Sequence, residues 1–375
     1  MKNLTKINIS IHSMVIFRNI LSNTVVKKFL NLLSSSDCDI VTKVSCYSEF
    51  LAELFSSTDN LTDYILNLVL EDENLYMLKK AQNISVSENI EKCLVEELKS
   101  LQELATVTSQ DVKAILDYDG YCPEWTTKEC NFLEIYQDRI KNISSHGYGI
   151  FAKYSTFVIK DGMITPVKSP DTTRLAELNG YKLERKQIID NTLALINGKP
   201  AANALLYGDA GTGKSSSVKA VANEFADKGL RLIEITKKQL REIPALMDNL
   251  SKNPLKFILF IDDLSFTKDD DDFSALKAIL EGSVSAKTGN LVVYATSNRR
   301  HLVKESFSDR EGDDIHFNDT REELISLSAR FGLTITFSKP DKKLYLDIVE
   351  DLAHQYELCI DIDDLFSQAE AYALR

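Results

Sequence analysis

From residue 178 to 337, short apolar runs rich in β-branched residues alternate with segments of helical period. This is the pattern of a parallel sheet with helices on both faces. The runs predict five strands, at 202–207, 230–236, 256–263, 291–297 and 333–337. Gly229 stands where a helix C-cap belongs, and Gly198 with Pro200 ends the helix before the first strand. Upstream, the pattern is helical for most of residues 1–147. Phe50, Leu51, Leu54, Phe55, Tyr64, Ile65 and Leu68 form one amphipathic stripe, read as core rather than as a partner groove. Ser85-x-x-Glu88 reads as a capping box ahead of a second stripe that starts at Ile90. Between the two regions, residues 148–167 are rich in Phe, Tyr, Ile and Val around Asp161-Gly162, the signal of an antiparallel hairpin. Residues 168–177 read as a linker, and after Pro340 residues 341–375 return to amphipathic helix. The expected division is a helical domain at 1–147, hairpin and linker at 148–177, an α/β domain at 178–338 and a partial helical lid at 339–375.

The first strand of the α/β domain enters Gly208-Asp209-Ala210-Gly211-Thr212-Gly213-Lys214-Ser215, which fits G-x-x-x-x-G-K-[ST]. Glycines at 208, 211 and 213 let consecutive N–H groups turn into one concavity at the start of a helix, where a phosphate is favoured. Lys214 is suited to the β- and γ-phosphates, and the Ser215 hydroxyl to Mg²⁺. The segment therefore predicts a site for a nucleoside triphosphate with Mg²⁺.

The third strand is apolar from Phe257 to Ile261 and ends in Asp262-Asp263. Ligands of open α/β sheets bind outside the carboxyl ends of the strands. Asp262 is accordingly expected to hold Mg²⁺ and Asp263 to orient the attacking water; the plainer alternative is a pair of turn or capping acids. The fourth strand ends in Thr296-Ser297-Asn298, where Asn298 is placed to bond the γ-phosphate and the water, or else is an ordinary turn residue. Arg330, just before the last strand, is read as an arginine finger reaching a neighbour's γ-phosphate, with a surface ion pair as the alternative.

Together, phosphate loop, Asp-Asp strand, Asn298 and Ser328-Ala329-Arg330-Phe331 resemble the AAA+ superfamily. The Asp-Asp ending resembles bacterial replication initiators and helicase loaders. Leu178-Asn179-Gly180-Tyr181, Asp262-Asp263-Leu264-Ser265-Phe266 and Thr296-Ser297-Asn298-Arg299-Arg300-His301-Leu302 are closer still to a bacterial AAA+ family known by a domain-of-unknown-function name. The resemblance implies a P-loop NTPase fold, ATP hydrolysis with Mg²⁺ and assembly into a nucleotide-dependent homo-oligomer. It also implies an adenine pocket near Leu178, Gly180 and Tyr181. A lid arginine that senses nucleotide is expected in that superfamily; here it is either missing or Arg375. Lys237 and Lys238 occupy a loop where protein-threading rings carry an aromatic-hydrophobic-Gly motif, which speaks against polypeptide unfolding.

Composition narrows the partners. A net charge of −12 argues against a whole-surface footprint for nucleic acid. Arg299, Arg300 and His301 form one basic cluster, read as a subunit contact with nucleic acid as the alternative. Asp269 to Asp272 read as a solvated acidic face. Six scattered cysteines without a C-x-x-C pair fit reduced thiols rather than a zinc site. No run of about 18 apolar residues or cleavable leader is evident, so a cytoplasmic protein without membrane contact is expected. The helical N-terminal domain is expected to select an unknown protein partner. A rival reading is a nucleotide-gated scaffold or loader with negligible hydrolysis.

Overall fold

The computed structural model describes residues 3–265, 272–281, 289–298 and 330–373. The chain divides into two compact units, Met1–Lys153 and Tyr154–Arg375. The first is helical: α1 (Leu4–His12), α2 (Thr24–Leu33), α3 (Ile40–Phe55), α4 (Leu61–Glu71), α5 (Leu75–Ala81), α6 (Glu88–Ala105), α7 (Ser109–Leu116), α8 (Phe132–Lys141), α9 (Ile143–His146) and α10 (Ile150–Lys153). Its core joins the stripes of α2, α3, α4 and α6 around Trp125, whose indole packs edge-on against Phe29 and Phe50. The indole N–H donates to the Val107 carbonyl at 2.9 Å, so the one polar atom of this buried ring is satisfied.

Glu97 lies on the buried face of α6, 7% exposed, between Leu94 and Leu98. Its two carboxylate oxygens accept the backbone N–H groups of Val15, Ile16 and Phe17 at 2.7–3.1 Å, and Oε1 also accepts the Cys93 thiol at 3.0 Å. A turn without regular structure is thereby fastened to the core. The start of α6 departs from expectation. Its N-cap is Ser87 rather than Ser85, and no side-chain capping bond forms. The reciprocal box occurs instead at Thr108 and Asp111, opening α7.

The second unit is built on a sheet of β1 (Thr156–Lys160), β2 (Met163–Pro166), β3 (Ala204–Gly208), β4 (Leu230–Ile235), β5 (Lys256–Ile261), β6 (Leu291–Ser297) and β7 (Leu333–Phe337). The order is β2-β1-β4-β5-β6-β3-β7, with every neighbouring pair parallel except β1 and β2. Among the described residues all five expected strands form, as β3 to β7, and two more join them in one sheet. The hairpin forms around Asp161 and Gly162, both at positive φ, but it is not a separate element. Its first strand pairs Thr156–Val158 with Leu232–Glu234 and extends the sheet by two strands.

The central strands are buried on both faces, which is why they read as continuous apolar runs. Leu206, Leu232, Phe260, Val292 and Ile335 pack with α11 (Lys182–Ile196) and α12 (Lys214–Glu224). The alternate positions Leu205, Ile233, Leu259 and Val293 are equally buried. Helices α13 (Ile243–Ser251) and α14 (Asp272–Glu281) precede β5 and β6, and α15 (Lys342–Gln355) and α16 (Ile362–Ala373) follow β7. The expected linker is bound down rather than loose. Asn223 of α12 donates to the carbonyls of Asp171 and Thr173, and Arg174 donates to the Asn223 carbonyl. No helix among the described residues is long and apolar enough to cross a membrane.

Candidate nucleotide site

The β3–α12 junction has the local geometry that its glycines allow. Gly208 sits at φ 140°, and a Cβ there would lie 1.9 Å from the Phe337 carbonyl oxygen of β7, so only glycine lets the strands approach. Gly211 and Gly213 have φ of 77° and 82°, and Gly213 N-caps α12 in the left-handed region. Asp209, Ala210 and Thr212 complete the loop, with the Thr212 hydroxyl donating to the Asp209 carbonyl at 2.9 Å. The loop is also tied to the chain beyond β7. Asp209 N–H donates to the Phe337 carbonyl at 3.1 Å, and its carboxylate accepts the Lys339 N–H at 2.7 Å.

Lys214 is 6% exposed, and its ammonium donates to the carbonyls of Gly208 and Asp209 at 2.9 and 2.6 Å. Burial pulls its pKa below the ordinary lysine value, while Asp209, Asp263 and Asp262 work in the opposite direction. The ammonium is thus held at the loop with a weakened grip on its proton.

The acids sit just past the end of β5, which stops at Ile261 rather than including them. Asp262 Oδ1 accepts the Ser215 hydroxyl at 2.6 Å and the Asp263 N–H at 3.1 Å. Asp263 holds a left-handed φ of 49°, which turns the chain sharply enough to present both carboxylates at the sheet end. Asn298, just after β6, donates from Nδ2 to Asp263 Oδ1 at 3.1 Å. The eleven residues Ala210, Gly211, Thr212, Gly213, Lys214, Ser215, Ser216, Asp262, Asp263, Thr296 and Asn298 line a cleft of about 300 Å³. The structure therefore brings together nearly all residues that the motif implicated, drawn from three separate strand ends. Ser216 and Thr296 are the members that sequence reasoning passed over; for Thr296 the only signal was a hydroxyl closing an apolar strand.

The donor set fits the expected ligands. Ser215 and Asp262 supply hydroxyl and carboxylate oxygens within 2.6 Å of each other, hard donors of the kind that Mg²⁺ takes. The lysine, the positive-φ glycines and the start of α12 suit phosphate.

Other expected residues lie elsewhere. Tyr181 is buried, its ring against Phe337 and its hydroxyl donating to the Ser338 carbonyl at 2.6 Å. A Cβ on Gly180 would meet Ile348 of α15 at 2.7 Å, and Leu178 lines a different hollow with Arg185 and His354. None of the three lines the phosphate cleft. Arg330 is half-buried and lines a groove with Asn203, Leu291 and Gly332, at the amino ends of β3, β6 and β7. The phosphate cleft lies at the carboxyl ends of the same sheet, about 16 Å away along a five-residue strand. Phe266, Asp269, Arg299, Arg300, His301, Leu302, Ser328, Ala329 and Arg375 lie outside the described residues, and Asp272 only begins α14.

Fold and cleft are those of a phosphate-loop α/β protein. The family model described as "Protein of unknown function (DUF815)" matches residues 152–375, more than half the chain, and the chain belongs to that family. It is similar to the "Probable 26S proteasome regulatory subunit 6B" of Caenorhabditis elegans, 22% identical over 339 residues that cover 80% of this chain and 77% of the relative. Shorter matches are the "26S proteasome regulatory subunit 6B homolog" of Schizosaccharomyces pombe, 30% identical over 27% of this chain and 30% of the relative, and the "Replication factor C large subunit" of Thermofilum pendens, 31% identical over 29% of this chain and 28% of the relative. For the last two, the chain spans less than a third of the relative. The similarities support placement of the chain in the AAA+ superfamily.

Proposed function

We propose that this chain binds ATP with Mg²⁺ in the cleft of the phosphate loop and hydrolyses it at a subunit interface, driving a conformational change in a protein partner. The observation that carries this reading is the meeting of Ser215, Asp262, Asp263 and Asn298 around Lys214 at one end of the sheet. Ser215 and Asp262 are the residues that would hold the cation, which supplies charge neutralisation for the phosphates. Loop N–H groups and Lys214 bind and orient the triphosphate. Asp263, steadied by Asn298, orients the attacking water and receives its proton.

Arg330 lies too far along the sheet to serve its own cleft, which supports its delivery to a neighbouring subunit's cleft as an arginine finger. The helical unit is the part we assign to partner choice, and the acidic balance of the chain favours a protein partner over nucleic acid. A cytoplasmic setting accords with this reading. The second reading, a nucleotide-gated scaffold that barely turns over, draws on Asp263. Its carboxylate is a short side chain already engaged by Asn298.

The test is ATP turnover per subunit across a wide range of protein concentration, with Lys214→Ala as the blank and Arg330→Ala alongside. Turnover that rises steeply with concentration and drops about 10³-fold in Arg330→Ala supports the shared site. Tight nucleotide binding without turnover at any concentration supports the gated module instead.

A further inference from the structure

Strand β6 lies between β3, which carries the loop, and β5, which leads to the acids, so its carboxyl end faces both. Thr296 sits there, 1% exposed. Its hydroxyl donates to Asp262 Oδ1 at 2.5 Å and accepts the Asp263 N–H at 2.9 Å. Its carbonyl accepts the Leu264 N–H at 2.7 Å. One residue therefore grips three successive residues of the acid turn. Asp262, by contrast, is exposed to the cleft. An exposed carboxylate has several rotamers, and a donor fixed inside the sheet selects one of them. Asn298 does not duplicate the contact, because its amide reaches the carboxylate of Asp263.

We propose that Thr296 is the positioning residue for the cation-binding carboxylate: its buried hydroxyl sets the orientation of Asp262, and through it the Mg²⁺ requirement of the site. The inference rests on the nucleotide-binding reading above. The two polar residues at the end of β6 then divide the work, Thr296 acting on the metal acid and Asn298 on the acid that faces water. Outer partners of metal ligands are typically worth 10–100-fold in metal affinity, which fixes the size of the expected effect.

The experiment is equilibrium binding of a fluorescent ATP analogue to the full chain, first in EDTA and then along a Mg²⁺ titration. Thr296→Val removes the hydroxyl at nearly constant volume; Thr296→Ser keeps it. The expected result is an unchanged affinity in EDTA for Thr296→Val and a Mg²⁺ midpoint raised about 10–100-fold, with Thr296→Ser close to the parent. In an Asp262→Asn background, Thr296→Val should add nothing further. A parent-like midpoint overturns the proposal. So does an equal loss with and without Mg²⁺, or an effect that adds in full to Asp262→Asn. If Thr296→Val does not fold, the same titrations on Thr296→Ala decide between these outcomes. A parent chain that binds no analogue under either condition overturns the nucleotide-binding reading itself, a result distinct from any of the variant outcomes.

Discussion

Two carboxylates, one in each unit, gather several donors on their oxygens and use them to opposite ends. Glu97 is enclosed in the helical unit, and every donor around it belongs to a backbone turn or a neighbouring thiol of its own core. Asp262 gathers Ser215, Thr296 and the Asp263 N–H on a single oxygen, yet stands open to a cleft. A buried carboxylate with all its bonds internal fastens the fold. An exposed one with bonds to a phosphate loop is placed for a ligand. The number of hydrogen bonds does not separate the two roles; accessibility and the identity of the donors do.

The comparison is broken most directly by exchanging each carboxylate for its amide. Glu97→Gln places an NH₂ against backbone donors and should cost about 3 kcal/mol, since stranded buried donors cost about 1–3 kcal/mol each. Urea unfolding followed by the fluorescence of Trp125, the single tryptophan, reads that loss, and nucleotide binding should stay as it was. Asp262→Asn should do the reverse: stability within about 1 kcal/mol of the parent, because the group is exposed, and loss of the Mg²⁺ response. Equal stability losses in the two variants would erase the distinction.

A smaller effect sharpens the electrostatics. Burial disfavours the charged form of Lys214, so its folded pKa lies below the ordinary 10.5. A triphosphate prefers the ammonium. Affinity should therefore be full below that lowered pKa and fall as pH rises through it, by up to about tenfold per unit. Titration of binding from neutral pH up to the ordinary lysine range, with Lys214→Arg as the variant that should lose the alkaline decline, checks the sign. The smallest effect concerns α6. Ser87→Ala should change stability by less than about 0.5 kcal/mol because Ser87 makes no capping bond, whereas a true N-cap costs about 1 kcal/mol.

Much of the site was legible because its chemistry is contiguous. The loop from Gly208 to Ser215 is one stretch of chain; strands β5 and β6 announce themselves by the apolar runs that parallel burial requires, and the edge strand β7 by Leu333, Ile335 and Phe337 alternating with Thr334 and Thr336. What escaped was decided by distant pairing. Nothing inside residues 156–166 says that β1 will lie beside β4, because that contact joins segments far apart in sequence. Thr296 was hidden for the same reason, since its partners come from another strand. Ser85 misled because Ser87 stands two positions on, and spacing alone did not choose between them. Glu97 did leave a trace: a charge at the position between Leu94 and Leu98 breaks an otherwise apolar face, the mark of a buried group with partners to find.

The carboxylate of Asp209 grips the chain at Lys339, three positions before α15 begins. Its own carbonyl meanwhile receives the ammonium of Lys214, and its N–H is pinned to Phe337. Loop and C-terminal helices thus share one joint, with Asp209 as its pin. A displacement of the loop by as little as an ångström must either travel into the root of α15 or break a 2.7 Å bond to a charged group. The C-terminal helices are, in mechanical terms, the long arm of a lever whose short arm is the phosphate loop.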